Sequence, residues 1–143
     1  TANLLSLPNW LEYIKNIHKL RQDYNTDRQL IWFDTPMLHD PKWMSMKLAT
    51  PEMLENLQAS IDYMKANPET SLNRFKGFKD FEVDKVRRLL EWAQEPLNTD
   101  EQEQAMKNFD MFFTQHDKRR NTNIDKTFPQ LRNFIQQCKT LNT

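Results

Sequence analysis

Glycine is almost missing from this chain. Of its 143 residues only Gly77 is glycine. An all-β domain needs many turns with φ > 0, and phosphate-cradling loops need several glycines close together. Both are excluded. Cysteine is equally scarce: Cys138 stands alone. An internal disulfide is impossible, and no Cys-based zinc or iron–sulfur site can be assembled from these residues. The lone thiol fits a reducing compartment, so a cytoplasmic location is expected. No apolar run approaches the ~20 residues that span a bilayer, and the first eight residues lack the pattern of a signal peptide. Charge of either sign is not in excess, with 20 Lys plus Arg against 20 Asp plus Glu. Neither nucleic acid nor a membrane is therefore an expected partner.

Aromatic residues are plentiful: nine Phe, four Trp and three Tyr. Such side chains need a core and argue against disorder. A chain of this length buries roughly 68% of its unfolded surface, enough for one core. Without glycine turns, helices joined by Pro, Asn and Asp remain. The expectation is a mainly α chain, with about five helices and one short buried strand. It forms a single domain over 1–143 or a C-terminal fragment, with a helix–strand–helix unit over 9–66 and a helical region over 80–140.

The spacing predicts a first helix over 9–24, with Trp10, Leu11, Ile14, Ile17, Leu20 and Tyr24 on one face. Thr50, Pro51 and Glu52 suit the cap and first turn of a second helix, which buries Met53, Leu54, Leu57, Ile61 and Met64 until Asn67 and Pro68 stop it. A third is expected over 80–94, with Phe81, Val86, Leu89, Leu90 and Ala93 inward. Thr99 and Gln102 have capping-box spacing for a fourth, running to about Lys118. It carries Ala105, Met106, Phe109, Phe112, Phe113 and His116, the last read as a hydrogen-bonded core residue. A fifth over 129–139 turns Leu131, Phe134, Ile135 and Cys138 inward.

Between the first two helices the character changes. Leu30, Ile31, Trp32 and Phe33 form a short apolar run flanked by turn residues, which reads as a strand buried on both faces. A lone strand leaves its N–H and C=O groups unpaired. Residues 44–48 are a weak partner. Otherwise the pairing strands belong to a missing N-terminal half or to another protein chain. The helix–strand–helix order fits one unit of an α/β layer.

Candidate site residues gather after this run. Asp34 binds a ligand at the strand end or caps the turn. His39 stands in the following loop, where α/β sheets bind ligands. Three histidines give no metal-binding pattern. Lys118, Arg119, Arg120 and Asn121 form the densest basic cluster. Arg119 and Arg120 with Asn121 suit a ligand or partner carrying phosphate or carboxylate, and equally complement the end of the fourth helix.

Two stretches carry a family resemblance. The first is Leu30-Ile31-Trp32-Phe33-Asp34-Thr35-Pro36-Met37-Leu38-His39-Asp40-Pro41, followed by Trp43-Met44-Ser45-Met46 and the Thr50-Pro51-Glu52 helix start. It resembles a late strand-and-helix unit of radical SAM enzymes. The second, Asp117-Lys118-Arg119-Arg120-Asn121-Thr122-Asn123 then Thr127-Phe128-Pro129, resembles the end of radical SAM proteins with a twitch-type C-terminal region. The resemblance implies a partial α/β barrel fragment, inactive by itself. S-adenosylmethionine would then lie near Asp34, Pro36, Met37 and Leu38. The [4Fe-4S] cluster would be held elsewhere, because the defining CxxxCxxC loop is absent. The alternative is a small helical interaction or structural subunit docking on a larger assembly.

Overall fold

The computed structural model describes residues 1–143 and contains six α-helices and no sheet or barrel. A 3-10 turn, Leu7–Asn9, leads into α1 (Trp10–Tyr24), followed by an extended connection. Two further 3-10 turns, Lys42–Met44 and Met46–Leu48, precede α2 (Pro51–Ala66). Then come α3 (Asp80–Gln94), α4 (Thr99–Arg120), the short α5 (Ile124–Thr127) and α6 (Arg132–Leu141). The α1–α2–α3 cluster and the α4–α6 pair share one core of 25 buried residues.

Helix boundaries follow local chemistry. The Thr50 hydroxyl accepts from the Met53 N–H, and Pro51 occupies the first turn, where a missing donor costs nothing. The cap of α4 is Asn98 rather than Thr99: its side chain accepts from the Glu101 N–H. The Thr99 and Gln102 spacing was thus one residue out of register. At the far end Asn121 adopts the left-handed conformation, φ 53 and ψ 45, which asparagine tolerates at a helix terminus. Lys118, Arg119 and Arg120 fill the last turn, where cations complement the helix dipole. Gly77 does not use positive φ. A Cβ there would collide with the backbone of Pro68 and Glu69, where residues 68 and 78 pair in a parallel bridge.

The inward faces differ from the expected ones in an informative way. α2 and α6 bury the expected residues, apart from Leu54, which is only partly buried. α1 buries Trp10, Ile14, His18 and Arg21, whereas Leu20 and Tyr24 are exposed. α3 buries Glu82 and Val83 and leaves Phe81 exposed. His116 is not a core residue; it stacks on the exposed Phe112, with rings 5.9 Å apart and 23° from parallel.

Arg21 explains the shift on both helices. Its side chain is fully buried, as is nearly all of Glu82. The guanidinium donates to Glu82 Oε1 at 2.9 Å and Oε2 at 2.6 Å, and to the carbonyls of Gly77 at 3.0 Å and Ile31 at 3.2 Å. Glu82 Oε1 also accepts the Lys79 N–H at 3.1 Å, which closes the start of α3. Removing one partner of a buried pair leaves an uncompensated charge, at about 3–5 kcal/mol. Arg21→Met and Glu82→Gln are therefore each expected to lose about 3–5 kcal/mol of stability in urea unfolding. The double variant Arg21→Met with Glu82→Met should lose less than the sum of the two singles.

His18 lies beside this pair and its Nδ1 is 2.7 Å from the Tyr63 hydroxyl. Burial, and then the Arg21 charge, hold the imidazole below its ordinary value of 6.5. Just below pH 6.5 the unfolded chain then binds more protons than the folded one. Stability rises with pH through that window and is lost as pH falls. Urea midpoints should show this slope in the native chain and a shallower one in His18→Gln.

Candidate functional site

The expected strand is not formed. Residues 29–36 are extended but carry no ladder, and Leu30 and Trp32 are 49% and 68% exposed rather than buried. The physical reason is Asn25, the fully buried residue that ends α1. Its Oδ1 accepts the N–H of Leu30 at 2.9 Å and of Ile31 at 2.8 Å. Its Nδ2 donates to the Phe75 carbonyl at 2.8 Å. Side chains, not a neighbouring strand, hold this stretch of backbone.

Extended backbone alternates its faces. Phe33 and Thr35 point inward and are buried, with Ile31 and Met37 partly so. Leu30, Trp32, Asp34 and Pro36 are exposed on the opposite face. The N–H groups of Trp32, Phe33 and Asp34 and the carbonyls of the same residues have no hydrogen-bond partner in the chain. Pairing begins only beyond them. Ala2 N donates to the Pro36 carbonyl at 2.7 Å, and Leu38 N donates to the Ala2 carbonyl at 2.9 Å. This is a single parallel bridge, Ala2 to Met37, with α1 as the crossover between its two sides. Residues 44–48, the weak candidate for a partner, do not pair with it and lie instead in 3-10 turns.

An open cavity of about 440 Å³ lies along the run, between Trp32, Asp34, Phe81 and Lys85. Phe81 is 51% exposed. Lys79 Nζ sits 5.8 Å from the Trp32 ring centre, and Lys85 Nζ 5.6 Å from that of Phe81. Gln29 also lines the cavity, and its Oε1 is buried without a hydrogen-bond partner. Lys85 Nζ donates to Asp34 Oδ1 at 2.8 Å, and the Thr35 N–H donates to the same oxygen at 2.8 Å. The Lys85 hydrogen bond, then the Thr35 amide, hold the Asp34 carboxyl below its ordinary range.

The other candidates do not converge here. Pro36 and Leu38 serve the parallel bridge through their backbones, and Met37 packs against the core. His39 is exposed and meets the Trp92 ring edge to face at 5.0 Å. Arg119 and Arg120 are exposed at the end of α4 and form no ion pair. Asn121 turns the chain there, and Asp117 ties the loop back by accepting from the Thr122 hydroxyl and the Ile124 N–H.

No group of three or more His, Cys, Asp or Glu side chains is placed to hold a metal. Cys138 is buried, and burial, reinforced by Asp110, pushes its thiol up to about 12. A thiol held protonated is neither nucleophile nor ligand. These residues do not fit an iron–sulfur cluster. No helix is long and apolar enough to cross a membrane.

The residues missed from sequence are Arg21, Asn25 and Glu82. One signal pointed to Arg21: it falls seven positions after Ile14 and three after His18, on the buried stripe. Asn25→Ala leaves two backbone N–H groups without their acceptor, which costs about 1–3 kcal/mol. Amide hydrogen exchange should accelerate at Leu30 and Ile31 in this variant and not within α6.

No protein-family model matches the chain, and neither a curated protein nor a solved structure matches it.

Proposed function

We propose that the chain is the C-terminal portion of a radical SAM-like protein and contributes its extended run, residues 30–36, as one strand of a larger α/β barrel. The observation carrying this reading is the parallel bridge between Ala2 and Met37 across α1. Parallel pairing needs a long crossover, usually a helix, and sheets built from it bury both faces. Residues 30–36 have one face on the core and the other bare. Leu30 and Trp32 on the bare face are bulky apolar groups that favour being covered.

In this reading the even-numbered face looks toward the interior of the barrel, with Asp34, Pro36 and Leu38 at the strand end beside S-adenosylmethionine, while Met37, on the opposite face, packs against the core. The cluster belongs to the other half, since the one thiol of this chain is unsuited to it. No catalytic step is assigned to this chain. The basic turn at Arg119, Arg120 and Asn121 would meet the barrel or its ligand.

The same edge supports a second reading, in which a separate protein chain pairs with the free backbone of residues 32–34. One experiment separates the two. The coding sequence upstream of Thr1 is cloned with this region, expressed anaerobically and reconstituted with iron and sulfide. The first reading expects a brown protein that cleaves S-adenosylmethionine to 5′-deoxyadenosine. A colourless product with no upstream cysteine triplet would sink it and leave strand addition in trans.

A further inference from the structure

The bridge between Ala2 and Met37 fixes more than one contact. Burial alternates along residues 31–37, so the run is extended, and successive residues of an extended chain point their N–H and C=O groups to opposite edges. Ile31 marks the edge of the odd-numbered residues: Asn25 accepts its N–H and Arg21 takes its carbonyl. Pro36 and Leu38 mark the other edge, because the Pro36 carbonyl and the Leu38 N–H are the groups bonded to Ala2. Trp32 and Asp34 are even-numbered. Their N–H groups and carbonyls therefore lie on the edge where Ala2 sits, in line with the bridge, and none has a partner in the chain.

Polarity and register follow from the same bonds. In a parallel pair the two strands advance together, residue for residue. The residue joined to the N-terminal side of Thr1 thus falls opposite Thr35, and the third residue upstream falls opposite Phe33. The first donates its N–H to the Asp34 carbonyl. The third donates to the Trp32 carbonyl and accepts the Asp34 N–H, and the fifth accepts the Trp32 N–H. Pro36 has no N–H, so the ladder skips one bond there. The Thr1 carbonyl is not needed, and the Asn3 side chain already donates to it at 3.2 Å. Paired residues share a face. Ala2 is buried, and Phe33 and Thr35 point inward with it, so the first and third upstream residues face the core. A separate peptide loses its freedom of motion to reach this edge. A segment joined to Thr1 is delivered by the bridge with no loop to close.

We propose that the residues joined to Thr1 in the longer protein continue the Ala2 strand along this edge, parallel to residues 32–36 for about five residues, with apolar side chains at the first and third. The inference rests on the reading above only in taking this chain as part of a longer protein.

Amide hydrogen exchange is measured by NMR in the 143-residue chain and in the protein that includes its natural upstream residues. Trp32 and Asp34 are expected to exchange about tenfold slower or more in the longer protein, the worth of about one hydrogen bond, with Phe33 on the opposite edge unchanged. Proline at the third upstream position should return Asp34 to its rate in the shorter chain. Proline at the second, whose N–H points away, should leave Asp34 protected. Slow exchange within α6 reports that each variant is folded. Fast exchange at Asp34 in a longer protein that carries its cluster overturns the inference and leaves the radical SAM-like reading standing. Slowed exchange at Trp32 and Asp34 in a protein without a cluster upholds the inference and sinks that reading. Protection of Phe33 in place of Asp34, polar residues at both the first and third upstream positions, or a start codon directly before Thr1 would each overturn it.

Discussion

A guanidinium taken wholly out of water is tolerable only when its donors are engaged and its charge is met. Arg21 satisfies that condition by joining its own helix to three other pieces of chain. It stands on α1, it takes the Ile31 carbonyl from the extended run and the Gly77 carbonyl from the loop before α3, and it pairs with Glu82 on α3. Because Glu82 also closes the first turn of α3, the helix start and the ion pair stand or fall together. Four segments of chain are thereby fixed in one arrangement. An apolar pair could fill the volume, but it would not specify which carbonyls face it. Gly77 is part of the same constraint, since its missing Cβ lets residues 68 and 78 approach and brings its own carbonyl under Arg21.

Asn25 extends the logic one step along the chain. A β-strand ordinarily gains its order from a ladder. Here a single carboxamide supplies the acceptor for two consecutive N–H groups, and Arg21 engages the carbonyl that follows them. The start of the run is therefore held before anything pairs with it. A partner strand meeting this edge would not have to order it first, and that entropy is the main cost of folding a segment on binding.

Much of the helical part was legible because helices declare themselves locally. Thr50 with Pro51, Asn67 with Pro68, and the apolar spacing of Leu131, Phe134, Ile135 and Cys138 need only neighbours within a turn or two. What was illegible depended on residues far apart in sequence. Arg21 and Glu82 read as surface charges on their own helices, and only their 61-residue contact turns both inward. That contact also rotated the buried stripe of α1 away from Leu20 and Tyr24, and that of α3 away from Phe81. The apolar run at residues 30–33 read as a buried strand because its composition is right. Composition does not reveal that Asn25 would take its amides, nor that Ala2 would be the one parallel partner beyond it. Of the candidate site residues, Asp34 was foreseeable as a turn former and indeed takes the Thr35 amide, whereas its pairing with Lys85 spans 51 residues.

The core and the bare edge make separate demands, and this bears on what a partner can contribute. The 25 buried residues form one cluster beneath all the longer helices, so folding does not wait on the exposed face of residues 30–36. Covering Leu30 and Trp32 would add apolar burial to a structure already closed, and pairing the Trp32, Phe33 and Asp34 backbone would add directed hydrogen bonds. Charges at the margin resist indiscriminate pairing: Asp34 and Lys85 stand at one end of the run, and Lys79 leans over Trp32. Two copies laid parallel and in register would bring Asp34 onto Asp34, an arrangement these charges disfavour. They favour instead a strand whose own side chains complement an Asp and a Lys at that end. The Trp32, Phe33 and Asp34 backbone, with Asn25 behind it and a charged pair at its margin, is thus the stretch of the run whose hydrogen bonds remain to be made.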